Sequence, residues 1–417
     1  MRKILAITKS FHLHRALKLS GATAIAQVVS YAAMPILTRL FSAEDYSLLA
    51  LFFSWLLPFV VVSTLRIEFS IPDAESLSDA LIRRNMAKKV SAYLSLFLLL
   101  VLLALWLVGV IDNAVLLLLP LGVFLTAWVQ VYNFYSTRSG EFALNSWVRI
   151  IGNVGISGIS LCIGYFAYLS YGLVIGYLLG QLVSLILFLV FTKRPPEEKT
   201  LPQTSIHPTS LSRFSKYIFF NMPNGLVEVL QLSLMVFFLN GTFGAAVTGA
   251  FYLCWRILQA PAALISSTIF LSQYSTASEL HRSGQPFHRM IASTSLILLL
   301  LSLPAMIVVV MYGPELFSYV FGSEWVQAGE FASILIVYFV LNFITVPFNY
   351  VPLIKGKQKS LLLLSTLDLL FRFVGFFVGH AYGSAQLALV LFAVTGSLFC
   401  GVYWAWYYSM AKEFRSE

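Results

Sequence analysis

Twelve long apolar runs alternate with polar segments along the chain. They cover residues 19–38, 46–65, 90–110, 114–135, 147–167, 171–192, 217–239, 247–271, 291–311, 328–350, 361–380 and 386–408. Each run has about the 20 residues that a helix needs to cross a bilayer. A backbone in lipid must satisfy its own hydrogen bonds, and a helix does so. The pattern therefore predicts an all-α, polytopic membrane protein with twelve transmembrane helices.

One polar segment divides these runs into six and six. Residues 193–216 (KRPPEEKTLPQTSIHPTSLSRFSK) are charged and rich in proline. We therefore predict an N-terminal six-helix lobe over residues 1–205 and a C-terminal six-helix lobe over residues 206–417. A weak internal repeat supports the division. The first run spaces its polar residues as the seventh does, 201 residues later: Ser20, Thr23, Gln27 and Ser30 in the first, Asn221, Asn224, Glu228 and Gln231 in the seventh.

Composition excludes an ordinary soluble protein. Apolar residues make up 59% of the 417 residues, and charged residues only 11%. Soluble proteins of this size contain about 45–50% apolar and about 25% charged residues.

The net charge of +9 is mainly a signal of orientation. If the N-terminus is cytoplasmic, 24 of the 27 Lys and Arg residues lie on the cytoplasmic side, and Arg39 alone lies opposite. Arg256 and Arg372 fall inside predicted helices. Basic residues mark the cytoplasmic side of membrane proteins. We therefore expect both termini in the cytoplasm and no nucleic-acid partner.

Polar side chains inside the apolar runs are the candidate functional residues, because ionisable groups in membrane helices are costly and mark ligand or ion pathways. They form stripes on single helix faces, which predicts a wet central cavity. Amides bind sugar hydroxyls, and arginine binds phosphate and keeps its charge when partly buried. We assign substrate binding to Arg149, Asn153, Gln130, Asn133, Gln27, Asn224, Arg256, Gln259 and Arg372, and ion coupling to Glu228 and Asp368.

Other interpretations of these residues stay open. Asp368 and Arg372 are four residues apart and would also neutralise each other as a pair within one helix. The amide stripes would also serve as hydrogen bonds between helices. Glu228 would either pair with Arg256 or carry a proton. Gly172, Gly176 and Gly180 follow the small-xxx-small spacing of closely packed membrane helices.

Sequence motifs of soluble enzymes are missing. The chain contains no GxxxxGK[ST], HExxH or GxSxG pattern. We therefore expect a protein that is not an enzyme and that uses neither a cofactor nor a metal ion. A membrane-embedded polymerase or glycosyltransferase would need a large outer loop or paired carboxylates, and we find neither.

Several segments are similar to the Wzx-type oligosaccharide flippases of the multidrug/oligosaccharidyl-lipid/polysaccharide exporter (MOP) superfamily. They are LSGATAIAQVVSYAAMPILTRLFSAEDYSLLALF, TLRIEFSIP, GYLLGQLVSLILF, GAFYLCWRILQAPAALIS and FGSEWVQAG. The resemblance extends over nearly the whole chain. It implies a two-lobed architecture like that of the MATE transporters, which belong to the same superfamily.

The resemblance also implies a function. Such flippases move undecaprenyl-diphosphate-linked oligosaccharide repeat units across the bacterial inner membrane by alternating access, for O-antigen (lipopolysaccharide), capsule or exopolysaccharide synthesis. It implies that Arg149, Arg256 and Arg372 meet the anionic carrier. Expected partners are the lipid-linked oligosaccharide, membrane lipids, and polymerase and chain-length proteins of the pathway. The alternative within the superfamily is an ion-coupled drug/cation antiporter.

Overall fold

The computed structural model describes residues 27–110, 114–167, 169–193, 214–215 and 217–413. This part of the chain contains no strand and twelve long helices. They are α1 (27–40), α2 (Ala43–Thr64), α3 (Leu77–Leu107), α4 (Leu119–Arg138), α5 (Phe142–Phe166), α6 (Gly172–Phe191), α7 (Met222–Phe243), α8 (Ala245–Arg282), α9 (His288–Phe321), α10 (Val326–Thr345), α11 (Gln358–Ala381) and α12 (Ala385–Lys412).

Short helical pieces extend or join these helices. A 3-10 turn at Ile67–Ser70 lies between α2 and α3, and another at Ala114–Leu118 precedes α4. A π turn at Tyr217–Asn221 leads into α7. The 3-10 turns Ser323–Trp325 and Val346–Phe348 flank α10, and a short helix at Tyr350–Ile354 follows.

Ten helices in the described ranges are long and apolar enough to cross a membrane. The two long helices outside this set are α1, which is described only from residue 27, and α8. The predicted all-α, polytopic fold is therefore confirmed. Ser20 and Thr23 of the predicted repeat, and most of the predicted linker 193–216, lie outside the described residues.

Several helices are longer than the apolar runs that predicted them. The run at 90–110 belongs to α3, which begins at Leu77, where the Ser76 side chain accepts a hydrogen bond from the backbone N–H of Asp79 at 3.0 Å. The run at 247–271 belongs to α8, which continues to Arg282. The predicted ends were wrong because apolar composition marks the lipid-embedded part of a helix, whereas capping and polar turns set where it begins and ends.

The helices form two compact units. The N-terminal unit contains Leu48–Phe237 and the described residues up to Phe41, and the C-terminal unit contains Ser42–Ser47 and the chain from Phe238 onward. The chain passes from one unit to the other within α2 and again within α7. The predicted lobes at 1–205 and 206–417 stay a prediction.

Close packing of α5 against α6 organises the N-terminal unit. A Cβ added at Gly176 would overlap Ser160, and one at Gly180 would overlap Ile156. The predicted small-residue contact is therefore confirmed, because only glycine lets these two helix backbones approach so closely. Helix α4 packs against both α3 and α6 in the same unit.

Helix α10 is the centre of the C-terminal unit. It packs against α8, α9 and α12, and α11 packs against α12. Ala328, Phe331, Ala332 and Leu335 of α10 are fully buried. A mostly apolar helix is expected at such a central position.

Candidate functional site

The link between α2 and α3 is a sharp elbow, which we define as residues 65–70. Leu65 and Arg66 both have positive φ, at 50° and 56°. Residues other than glycine rarely adopt this backbone conformation, and such outliers are common at functional sites. The turn directs Ile67 and Glu68 inward, where their exposed fractions are 0% and 1%. The elbow therefore buries a carboxylate at the end of a membrane helix.

Glu68 is held by a neighbouring amide. Gln130 Nε2 of α4 donates a hydrogen bond to Glu68 Oε1 at 3.2 Å. The other oxygen, Oε2, is buried and has no hydrogen-bond partner among the described residues. Burial raises the pKa of the Glu68 carboxyl above its usual range, and this effect outweighs the nearby positive charge of Arg66. The elbow thus favours a protonated Glu68.

Arg66 joins this carboxyl to α7. Its guanidinium lies 4.8 Å from the ring centroid of Phe69. It also occupies the space next to Gly225, where a Cβ would overlap Nη2, Cζ and Nε. The Arg66 charge interacts with the carboxylates of both Glu68 and Glu228. Glu228 itself is exposed. Arg66 therefore interacts with two carboxylates, the buried one of Glu68 and the exposed one of Glu228.

A series of hydrogen bonds links α1, α5 and α4 in the same unit. Ser30 Oγ donates to Asn153 Oδ1 at 3.4 Å, and Asn153 Nδ2 donates to the backbone oxygen of Arg149 at 2.8 Å. Arg149 Nη2 donates to Asn133 Oδ1 at 3.2 Å. Asn133 lies one helical turn from Gln130, the donor to Glu68. We call Gln130, Asn133, Arg149 and Asn153 the polar ladder.

The bond between Arg149 and Asn133 has an electrostatic consequence. The acceptor is a neutral amide, which orients the guanidinium but does not itself neutralise it. Arginine presents five N–H donors in a planar fork that fits phosphate. The polar ladder therefore offers a positioned positive charge surrounded by amides, which suits an anion that carries hydroxyl groups.

The ionisable residues of α11 are arranged differently. Arg372 donates from Nε to Asp368 Oδ1 at 2.6 Å and from Nη2 to Oδ2 at 3.0 Å. Both residues are 3% exposed. The Arg372 guanidinium lies 4.7 Å from the ring centroids of Tyr338 and Phe392. The two residues thus form a direct ion pair within the helix, in agreement with the alternative that the two charges neutralise each other.

The remaining predicted residues lie in several places. Arg256 of α8 is half-buried and interacts electrostatically with the hydroxyl of Tyr46, whereas Gln259 is exposed. Asn224 is half-buried on α7 beside Gly225, and Gln27 is half-buried at the first described position of α1. The structure therefore brings together the polar ladder and, at the elbow, Gln130 and Glu228. The basic group that it places near Glu228 is Arg66.

A comparison with protein families bears on the identity of this fold. A family model described as "Polysaccharide biosynthesis protein" matches residues 36–330. The chain belongs to this family. The matched segment contains the elbow, the polar ladder and Glu228, and it ends before the Asp368–Arg372 pair.

Solved structures with similar folds are transporters of the MOP superfamily. A transporter from Pyrococcus furiosus is 16% identical, with 96% of this chain and 97% of that chain covered and a TM-score of 0.61. A multidrug resistance MATE transporter in an inward-facing conformation is 14% identical, with 96% of both chains covered and a TM-score of 0.59. A MATE transporter from Vibrio cholerae is 13% identical, with 95% of this chain and 96% of that chain covered and a TM-score of 0.61. A search of curated proteins found no match.

The chain thus belongs to the polysaccharide biosynthesis protein family, and its fold is similar to that of MOP-superfamily transporters. The resemblance noted from sequence is confirmed at this level. The elbow is the part of the candidate site that was not predicted from the sequence. Arg66 and Glu68 were counted with the cytoplasmic segment 66–89, because they follow an apolar run. The available signal was the alternation of charged with apolar residues in TLRIEFSIP, which is unusual for an exposed loop.

Proposed function

We propose that this protein is a flippase for undecaprenyl-diphosphate-linked oligosaccharide repeat units in the bacterial inner membrane, with both termini in the cytoplasm. Family membership supports a role in polysaccharide synthesis. The observation that carries the substrate class is the bond from Arg149 to the neutral amide of Asn133. It orients a guanidinium, the group that suits a phosphate, among amides of the kind that bind sugar hydroxyls.

The reaction is translocation, and no covalent bond changes. The diphosphate binds at arginine, the glycan at amides, and the lipid tail stays in the bilayer. Rearrangement of the helices then exposes the bound headgroup to the other side by alternating access. Arg149, with Asn153, Asn133 and Gln130, is the primary binding element, and Arg256, Gln259, Asn224 and Gln27 are further candidates. Arg372 is the weakest candidate, because it is buried in a bidentate ion pair with Asp368.

Coupling to an ion gradient is assigned to Glu228. The carboxylate of Glu228 is exposed, and the charge of Arg66 acts on it, whereas Asp368 is buried in a bidentate ion pair with Arg372. A carboxylate that is already neutralised by a guanidinium gains little by binding a cation. Glu228 is therefore favoured over Asp368.

The test measures the lipid-linked precursor in the host cell. Depletion of the protein should increase the cytoplasmic-leaflet pool of lipid-linked repeat units and reduce the surface polymer. Expression of the wild-type protein should reverse both changes, and expression of Arg149→Ala should not. A pool that stays unchanged while the surface polymer is normal contradicts the proposal.

The second candidate is an ion-coupled drug/cation antiporter. Its supporting observation is the accessible carboxylate of Glu228 on a fold shared with multidrug resistance transporters. It predicts that overexpression lowers the accumulation of cationic drugs and that Glu228→Gln abolishes this effect. Unchanged drug accumulation, together with a growing precursor pool on depletion, would exclude it.

A further inference from the structure

The segment that leads into α7 packs against the elbow inside the N-terminal unit. Phe214, Tyr217 and Ile218 pack on the buried cluster that contains Ile67 and Ile71. Tyr217 Oη also donates a hydrogen bond to Asp73 Oδ2 at 3.1 Å. The segment that leads into α7 is therefore attached to the α2–α3 link by both apolar and polar contacts.

Arg66 contributes a further contact, which is made with α7 itself. Its guanidinium lies against the backbone at Gly225, and no other residue type leaves room for it there. Glu228 lies three residues further along α7, on the same helix face. Its carboxylate attracts the same guanidinium. Arg66 is thus held on α7 by shape at Gly225 and by charge at Glu228.

Three features indicate that the start of α7 can separate from the elbow. Leu65 and Arg66 hold a strained backbone, which persists only while the surrounding contacts maintain it. The π turn Tyr217–Asn221 and Pro223 weaken the start of α7, since a π turn departs from regular helix bonding and proline lacks the N–H donor. Arg66 Nε is buried without a hydrogen-bond partner among the described residues, so the closed state is not fully satisfied.

We propose that Arg66 is a latch residue that holds the start of α7 against the elbow, and that it releases α7 during transport. Arg66 acts on α7 at Gly225 and Glu228. Both residues precede Phe237, the last residue of α7 in the N-terminal unit. Arg66 is a positioning residue in this account, because it acts through α7. The part of the inference that concerns transport rests on the proposed flippase function.

The latch is tested first by thiol labelling, which needs no substrate. Asn224→Cys is introduced after Cys162, Cys254 and Cys400 are replaced by alanine, and its reaction with a charged methanethiosulfonate reagent is timed in membranes. Arg66→Ala should raise the labelling rate by about tenfold, because the contacts of a charged group in a partly buried network are worth roughly that factor. Glu228→Gln should raise the rate by less, because the fit at Gly225 remains.

A matched pair of glycine variants isolates the latch from general packing. Gly225→Ala should raise the labelling rate as Arg66→Ala does, because the added methyl displaces the guanidinium. The combination of the two should raise it no further, since both remove the same contact. Gly241→Ala lies on the same helix with nothing within 4 Å of its added Cβ and should leave the rate unchanged. An unchanged rate in Arg66→Ala, or multiplicative effects of Arg66→Ala and Gly225→Ala, overturns the latch.

A second measurement asks whether the latch must open. In the same cysteine-free background, Asp73→Cys and Tyr217→Cys are bridged with a short bifunctional thiol reagent, and translocation in vesicles is measured before and after reductive cleavage. Bridging should stop translocation, and cleavage should restore it, while each single cysteine variant treated with the reagent should stay active. A bridged protein that works at the unbridged rate overturns release. If unmodified protein moves no lipid-linked oligosaccharide, the proposed function fails, and the labelling rates still decide whether Arg66 holds α7.

Discussion

Arg149 and Glu228 of the N-terminal unit and Asp368 and Arg372 of the C-terminal unit are ionisable residues of membrane helices, but they are held in different ways. In the C-terminal unit, Asp368 and Arg372 form two short bonds to each other and are 3% exposed. In the N-terminal unit, Arg149 is bonded to a neutral amide, and Glu228 is exposed. The first arrangement pairs two opposite charges directly, whereas the second orients Arg149 by an amide and leaves the Glu228 side chain exposed.

Structural and functional charges in a membrane protein differ in the partners that hold them. Breaking a buried ion pair is strongly destabilising, which favours a role for such a pair in fixing helix positions. A charge that is oriented by neutral partners retains its attraction for an external ion. We therefore assign packing of α11 to the Asp368–Arg372 pair and function to the polar ladder and the elbow.

Breaking the closed pair gives the largest expected effect. Asp368→Leu or Arg372→Met alone should lower the free energy of unfolding by about 3–5 kcal/mol, because each leaves one buried charge unpaired. The double variant should recover most of that loss and should transport normally. Membrane abundance, thermal unfolding in detergent and precursor pool size measure these outcomes. A stable double variant that fails to transport would show that the pair functions in transport and would remove the contrast between the units.

The polar ladder gives the next largest effect, and it affects transport instead of stability. Arg149→Ala should reduce translocation by at least about tenfold at normal abundance, whereas Arg149→Lys should retain part of it, because lysine keeps the charge but loses the planar fork. Asn133→Leu should have an intermediate effect, since it releases the guanidinium from its orientation. The control is Arg289→Ala, at an exposed position of α9. Full activity of Arg149→Ala would remove the ladder from the binding site.

Arg256 tests whether the C-terminal unit also contributes an accessible charge. It is half-buried and lies outside the Asp368–Arg372 pair. Arg256→Ala should reduce translocation by about fivefold, roughly the value of one hydrogen bond, and Arg256→Lys should restore most of it. Precursor accumulation in complemented cells measures both variants. If the alanine variant is fully active, the substrate-binding residues are confined to the N-terminal unit.

The smallest effect concerns the elbow carboxyl. Since burial raises the pKa of Glu68, the folded protein binds a proton that the unfolded chain has already released above about pH 4. The free energy of unfolding should therefore fall as pH rises through the window between the ordinary and the raised pKa. Glu68→Gln, which imitates the neutral carboxyl, should remove that slope. Unfolding temperatures in detergent between about pH 4 and pH 8 measure it, and an unchanged slope in Glu68→Gln would contradict a protonated Glu68.

The helical architecture was predictable because lipid imposes one solution on every long apolar run. The existence and order of α2–α7 and α9–α12 follow from the hydrophobic pattern alone. Helix ends were not predictable to the same degree, as α3 and α8 show, because charged turns continue these helices beyond their apolar residues. The packing of α5 on α6 was indicated by Gly176 and Gly180, since close approach has a simple sequence signature.

The site was predictable only where it lies inside an apolar run. Gln130, Asn133, Arg149 and Asn153 stood out against apolar neighbours, and their common face followed from helical spacing. Arg66 and Glu68 did not, because hydrophobicity cannot distinguish a loop that leaves the membrane from an elbow that folds back into the protein. The elbow is formed by two consecutive residues with positive φ, Leu65 and Arg66. Because neither residue is glycine, the sequence contains no signal for this conformation.

The most direct test of the central claim is translocation by the purified protein in vesicles. Undecaprenyl-diphosphate-linked oligosaccharides extracted from the host's own membranes are placed in one leaflet, and their appearance in the other is followed by accessibility to an added glycosidase. We predict transfer by the wild-type protein and by the Asp368→Leu/Arg372→Met double variant, and strongly reduced transfer by Arg149→Ala. Transfer by the wild-type protein that equals the rate in protein-free vesicles would contradict the account.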